Sequence, residues 1–292
     1  MGRSHLGIVL ALVFVLATVG LPGCSGERPA ESPAQEAVQP EATPSPEATR
    51  SGAQEPPASP EPPAASESEI PLDGTPAEIL AAQLAGLDLD DFFEVSFREL
   101  MLRNPEVVVE EGLAEIYGLE GADLTDISEP YTRETYEMQR VVLDMLRTYH
   151  RDELGAEEQI SYDVYEWYLE DLVREQAFML HEYPSTFFFI TSVPEGLVKF
   201  FADLHPLEDG QDAEDYVTRL AKVERKMDQL LEGLKLREEE GLIPPRFVTQ
   251  WTLYGLRNLA ESPATSTPFY STLKEKLEPL SDIDDAGKQV LL

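Results

Sequence analysis

The chain has a single cysteine, Cys24, in 292 residues. A structural disulfide is therefore excluded, and so are Cys-ligated metal sites, which need several thiolates. Basic residues are scarce as well: 22 Lys and Arg against 56 Asp and Glu leave a formal net charge of -34. Such a surface repels a duplex or an anionic bilayer, which excludes nucleic acid as a partner. Between Phe14 and Phe92 there is no aromatic residue, and the first quarter of the chain cannot build a hydrophobic core. Roughly 218 residues remain from position 75 onward, enough for one large domain or two small ones. The longest apolar run, Leu6 to Val19, has 14 residues, short of the ~20 that a spanning helix takes. No serine sits in a G-x-S-x-G setting, no glycine-rich phosphate loop occurs, and the zinc string HExxH is absent.

What is present begins with an export signal. Arg3 supplies a positive start, Leu6 to Val19 the apolar run, and Leu21-Pro22-Gly23-Cys24 a processing site. The Leu21, Gly23, Cys24 pattern resembles a bacterial lipoprotein box, in which the cysteine is acylated and becomes the first mature residue. Pro22 departs from the usual choice there. An ordinary secretory signal cleaved near Gly23 is the alternative. Ser25 after the cysteine, by resemblance to sorting rules, favours the outer membrane of a Gram-negative host, with the membrane as partner through the lipid. Residues 25–70 hold ten of the 23 prolines and no aromatic residue, the composition of a disordered tether. The domain organisation expected is a signal over 1–23, a Pro/Ala/Glu-rich tether over 24–74 and a helical domain over 75–292.

Within that domain, apolar spacing predicts an all-α multi-helix bundle. Thr75-Pro76-Ala77-Glu78 is a capping box opening a helix to about Leu84. A second helix starts at Asp90 or Asp91 with Phe92, Phe93, Val95, Phe97, Leu100 and Met101, and Asn104-Pro105-Glu106 caps a third. After a loop from Gly118 to Asp126, Ser128 to His150 reads as a helix. Gln159 to Tyr183 is the longest aromatic-rich pattern, with Tyr162, Tyr165, Leu169 and Leu172 on one arc and the rest of the chain expected to pack around it. Ile160, Val164, Trp167 and Phe178 lie on or beside its wet side, which predicts a second layer of protein there. Phe187 to Ile190 is a strand or a buried turn. Pro194 to Leu204 predicts a short helix, Asp212 to Glu240 one long surface helix, and Pro244-Pro245 the start of another, filled by Phe247, Val248, Trp251, Leu253, Tyr254 and Leu256.

No reactive constellation follows from these residues. A catalytic zinc site needs about three ligands in tight geometry, with two imidazoles one turn apart on a helix. His181-Glu182 begins such a string, but Ser185 stands where the second histidine belongs and Pro184 breaks the turn, so His181 reads as a wet-face histidine. His150 and His205, at helix ends, read as caps or as charges that offset the helix dipole. Asp163 and Glu170 lie two turns apart, a spacing open to an acid and base pair, yet Arg174 four residues after Glu170 predicts an ordinary ion pair. Arg98, Arg219 and Arg246 fit either a substrate carboxylate or the fixing of buried backbone and core carboxylates. Catalytic, cofactor and metal residues are thus none, and Cys24 is the one assigned site.

The order of short strings resembles the bacterial domain-of-unknown-function 885 family. Asp91-Phe92-Phe93, Phe97-Arg98-Glu99-Leu100, Asn104-Pro105-Glu106 and Leu124-Thr125-Asp126 are similar to its opening. Gln159-Ile160-Ser161-Tyr162-Asp163, Tyr216-Val217-Thr218-Arg219-Leu220 and Gly241-Leu242-Ile243-Pro244-Pro245-Arg246 continue the resemblance, from about residue 87 to 280. It implies a mainly helical fold, similarity to zinc metallopeptidases with an HExxH-type motif in the C-terminal half, and lipoprotein or secretory signals. This chain ends at Leu292, before that motif, on the apolar Gln289-Val290-Leu291-Leu292. The resemblance therefore implies the N-terminal scaffold of a peptidase-like hydrolase, with zinc and a peptide substrate belonging to a longer form. Two alternatives stand beside it: a complete non-catalytic lipoprotein that binds a peptide or an envelope partner, and an enzyme whose site is not visible in the sequence.

Overall fold

A computed structural model of the protein describes residues 73–119, 122–185 and 192–292. Cys24, the signal, the tether and the Phe187 to Ile190 run lie outside them. The described residues hold helices and no strand, as the periodicity predicts.

The first half is a helical cluster whose elements start at recognisable caps. Helix α1 (Pro76–Leu84) opens on the Thr75 capping box: Thr75 Oγ1 accepts from Glu78 N at 3.3 Å, and Thr75 N donates to Glu78 Oε2 at 2.8 Å. Leu80 and Leu84 are buried. Helix α2 (Leu89–Met101), capped by Asp88, buries Phe92, Phe93, Ser96, Phe97 and Met101, and α3 (Pro105–Glu110) is capped by Asn104. Helices α4 (Glu129–Leu146) and α5 (Ala156–Glu175) pair as an αα-hairpin. Arg147 at the end of α4 reaches Glu166 and Glu170 of α5, while Gln176, just past α5, reaches back to Tyr136 O and Gln139 near the middle of α4. The hairpin thus runs antiparallel. In the core between α2 and α5, Tyr165 meets the Phe93 ring edge-on at 5.5 Å, and its hydroxyl hydrogen-bonds Ser96 Oγ at 3.0 Å.

Helix α5 ends at Glu175 and passes into a 3₁₀ turn, Gln176–Phe178, eight residues before the predicted end at Tyr183. Nothing in the local sequence stops it. The following segment turns to meet the helix over Val223–Glu239, and its carbonyls are held there by Arg237. Only Tyr162, Tyr165 and Leu169 of α5 are buried, and Leu172 is half-buried. Among the described residues no second layer covers Ile160, Trp167 or Phe178, which are 62%, 52% and 59% exposed.

The second half has its own core rather than packing around α5. Helix α6 (Val193–Lys199) runs into a π turn, Phe200–Leu204, closed by His205 N donating to Phe200 O at 2.7 Å. The wide turn puts the successive rings of Phe200 and Phe201 both inside. They pack with Leu207, Tyr216 of α7 (Gly210–Leu220) and Leu273 and Leu277. Helix α8 (Val223–Glu239) follows α7 after a break at Ala221 and Lys222, where a single helix was predicted. At this break the Lys222 ammonium donates to Ala122 O at 2.6 Å and pairs with Asp123. Helix α9 (Arg246–Glu261) buries only Thr252. Of the six residues predicted to fill it, Phe247, Trp251, Leu253 and Tyr254 are exposed. Helix α10 (Pro268–Leu277) supplies Leu273 and Leu277 to the core, and α11 (Asp285–Leu291) packs on α7. No helix of the described residues is long and apolar enough to cross a membrane.

Candidate functional site

Two arrangements of polar residues merit weighing, one buried and one open. The buried one joins α3, the Asp123–Asp126 loop, α7 and α8. Lys226, almost wholly buried, pairs with Glu106. Burial lowers the lysine's pKa, and the carboxylate opposes that shift. Glu106 also accepts from Thr125 N at 3.3 Å, and Thr125 hydroxyl donates to Asn104 Oδ1. Burial raises the Asp126 carboxyl, but hydrogen bonds from Ser128 and Gln229 and the charge of Arg225 outweigh it and hold it below the usual range. Lys226, Arg225 and Lys222 each have a carboxylate partner, so the cluster ties the Asp123–Asp126 loop and α3 to α8.

His205 and Arg219 extend this cluster inward. His205 is 1% exposed, stacked on Phe201 at 6.2 Å. Its Nδ1 lies 2.5 Å from Pro206 O and its Nε2 2.6 Å from Arg219 Nη1. A carbonyl on one side and a guanidinium on the other fix the neutral tautomer, with Nδ1–H donating and Nε2 accepting. Burial, reinforced by the Arg219 charge and opposed by the Pro206 carbonyl, brings the pKa down to about 4. The predicted cap or dipole charge is thus corrected: His205 is a neutral core residue, because its ring is enclosed by aromatics and its second nitrogen faces a cation. Arg219 donates also to Asp123 O at 3.3 Å, so it fixes buried backbone.

The remaining candidates lie apart. Asp163 is held by Arg151 through two contacts of 2.5 and 2.6 Å. Glu170 pairs with Arg147 across the hairpin, and Arg174 with Asp171 at 2.6 Å, so the predicted Glu170–Arg174 pair does not form. Arg98 binds its neighbour Glu99 at 2.9 Å. His150 is exposed and precedes a 3₁₀ turn without a side-chain cap.

The open arrangement is a groove of about 500 Å³ between the start of α4, the segment after α5, and α8. Tyr136, Phe178, Met179, Leu230 and Leu236 give it apolar walls, and Glu175, His181 and Glu182 stand among them. His181 is exposed, with its ring edge-on to Phe178 at 5.6 Å. It lies on a turn beyond the helix rather than on a wet helical face. Arg237 of α8 closes the groove by donating to Met179 O, Glu182 O and Gly233 O at 3.0 to 3.3 Å. Its guanidinium makes no carboxylate pair among the described residues, and burial lowers its pKa. On the far side of Arg237 lies a second hollow of about 490 Å³, bounded by Tyr183, Leu242, Ile243, Pro244 and Arg246. Arg246 is exposed there and carries no ion pair among the described residues. The groove was not foreseen, since its walls come from three segments up to a hundred residues apart and Arg237 looks like any charge on a polar helix.

The resemblance implies zinc, and the residues present do not fit it. Among the described residues no three His, Cys, Asp or Glu side chains are grouped so as to hold a metal ion. The groove that holds His181 is lined by no second histidine and no thiol, whereas a catalytic zinc site takes about three ligands in tight geometry.

A family model described as bacterial protein of unknown function (DUF885) matches residues 105–291. The match begins at Pro105, so the Asp91–Phe93 and Phe97–Leu100 strings lie outside it. No curated protein and no solved structure matches the chain.

Proposed function

The chain belongs to the bacterial DUF885 family, and from that premise we propose that it is an envelope-tethered helical scaffold that holds an extended peptide as one wall of a peptidase-like cleft. Its own residues bind and position; the metal-binding residues of such a cleft lie outside it. The observation that supports this reading is the pair of hollows sharing Arg237. One offers aromatic and aliphatic walls to side chains. The other holds Arg246, whose guanidinium can take a peptide carboxylate in a two-pronged hydrogen bond without first breaking an ion pair among the described residues. The chain's -34 charge draws basic peptides from a distance. In this reading Cys24 carries the lipid, and the Pro-rich composition of 25–70 is that of a tether between lipid and domain.

The test uses the 292-residue chain and a fluorescent pool of unstructured basic peptides, with free or amidated C-termini. Binding should weaken about tenfold on amidation or in Arg246→Ala, and no peptide should be cut, with or without chelator. Labelled fatty acid should enter the wild type and not Cys24→Ala. Chelator-sensitive cleavage accompanied by one zinc per chain would falsify the reading, and so would indifference of binding to both Arg246 and the carboxylate.

A further inference from the structure

The groove between the start of α4, the segment after α5, and α8 holds two carboxylates that are unpaired among the described residues. Glu175 and Glu182 both line it and both are exposed, and neither makes an ion pair or a side-chain hydrogen bond there. They share a neighbour in the wall. Burial raises the pKa of the half-buried Tyr136, and the charges of Glu182 and Glu175 raise it further against Arg133 and Arg237. The third carboxylate of the lining, Glu129, is already taken by Arg133. Arg237 gives its guanidinium to three backbone carbonyls and feels Glu182 only through space. Two unpaired carboxylates thus stand against one cation in the same walls.

We propose, on the peptide-binding reading above, that Glu175 and Glu182 make this groove the subsite for a cationic side chain, lysine or arginine, of the bound peptide. A groove of about 500 Å³ has room for a long side chain and is far larger than a metal ion, and no three His, Cys, Asp or Glu among the described residues are grouped to hold one. Tyr136 and Phe178 offer π faces to a cation, while Met179 and Leu236 offer an apolar path to its methylene stem. An aliphatic side chain would suit those walls and leave both carboxylates without a partner. An acidic one would meet like charge. Lysine or arginine matches walls and charge together, through charge-assisted hydrogen bonds to the two glutamates.

A subsite differs from the general pull of a -34 chain in two ways. The general pull acts on a cation anywhere in a peptide, whereas a subsite acts at one register and depends on particular residues. Helix α8 lines the groove from Gln229 to Arg237, ~12 Å of helix and the reach of about three to four residues of extended chain. Arg246 lies beyond Arg237 in the second hollow. With the terminal carboxylate there, the selected cation is an internal residue upstream of the C-terminus.

The test is fluorescence anisotropy of the full chain with unstructured peptides that carry a free C-terminus and one lysine, moved along the sequence and then replaced by acetyl-lysine. Glu175→Gln with Glu182→Gln is the disrupting variant. Glu153→Gln with Glu157→Gln, exposed near the start of α5, removes the same charge away from the groove. Both groove side chains are exposed and Arg237 holds the Glu182 backbone, so helicity by circular dichroism is expected to match wild type. At the best position, wild type should lose about tenfold on acetylation. The groove variant should lose about tenfold for lysine and bind the acetylated peptide like wild type, and the control pair should stay within about twofold for both. Arg246→Ala should weaken both peptides equally and keep the preference for lysine. Binding that depends on Arg246 but not on the lysine charge overturns the subsite and leaves the peptide reading standing. Equal losses in the groove and control variants, or a gain from lysine at every position, overturn the subsite too. Absence of any Arg246-dependent binding overturns both.

Discussion

Lowering the pH should destabilise the fold well before its carboxylates protonate, and His205 is the reason. Its imidazole is neutral in the folded chain, its Nε2 lone pair accepts from Arg219 at 2.6 Å, and its pKa falls from 6.5 to about 4. In the unfolded chain it titrates at its ordinary value. Above pH 6.5 both states are neutral and the group adds no pH dependence. As pH falls below 6.5, the unfolded state takes up a proton that the folded state refuses, and stability drops until about pH 4, where the folded histidine protonates too. At 1.36 kcal/mol per pH unit the full window amounts to about 2 to 3 kcal/mol after some discount for residual solvent screening. Urea unfolding followed by circular dichroism between pH 7.5 and 4.5 measures it, with His205→Gln as reference. Glutamine retains an acceptor for Arg219 and cannot titrate. The variant should start less stable at pH 7.5 and lose less on acidification, so the two curves converge as pH falls. Parallel curves across the window would refute the reasoning, as would an imidazole resonance that titrates near 6.5 in the folded protein.

Two further outcomes follow from burial. Tyr165→Phe removes one hydrogen bond but leaves Ser96 its bond to Phe93 O, so it should cost about 1 kcal/mol; Tyr165→Ala should cost about 3 to 5 kcal/mol, and Leu172→Ala, half-buried, clearly less. Denaturant midpoints rank the three, and Leu172→Ala at or above Tyr165→Ala would contradict the packing described. Lys226→Ala strands the Glu106 carboxylate and should cost about 3 to 5 kcal/mol, whereas Lys226→Met with Glu106→Gln should recover most of it. Equal stability of the single and double variants in urea would show that the pair is not a buried one.

The sequence made the helical class and several N-caps legible, because Thr75 and Asn104 mark helix starts with local chemistry, while α2 begins at Leu89 on an Asp88 cap rather than at Asp90 or Asp91. Where local chemistry is silent, sequence pattern and structure part. Thr218 to Lys226 contains neither glycine nor proline, yet the helix breaks there, where Lys222 reaches Ala122 O a hundred residues away. The Phe178 to Tyr183 segment keeps a helical period, but Arg237 holds its carbonyls in a different path. On α9 the apolar period is real and only its direction was misjudged: periodicity tells that a face is apolar, not whether this chain covers it. The groove and the His205–Arg219 contact depend on side chains far apart in sequence, and no spacing rule reaches them.

The polar bridge described between the two cores also bears on how the domain comes apart. One core is built by α1, α2, α4 and α5, the other by Val109 of α3, α6, the π turn, α7 and α10, and the Glu106–Lys226 pair and the Asp123–Asp126 loop tie α3 to α8. Directional contacts of this sort lose their value once the geometry slips, whereas apolar contacts fade gradually. These bonds therefore add a cooperative link to the apolar contacts that α3 makes through Val109. With them intact, heat should melt the domain as one calorimetric unit. With Lys226 removed, the van't Hoff enthalpy should fall below the calorimetric one as each core unfolds on its own.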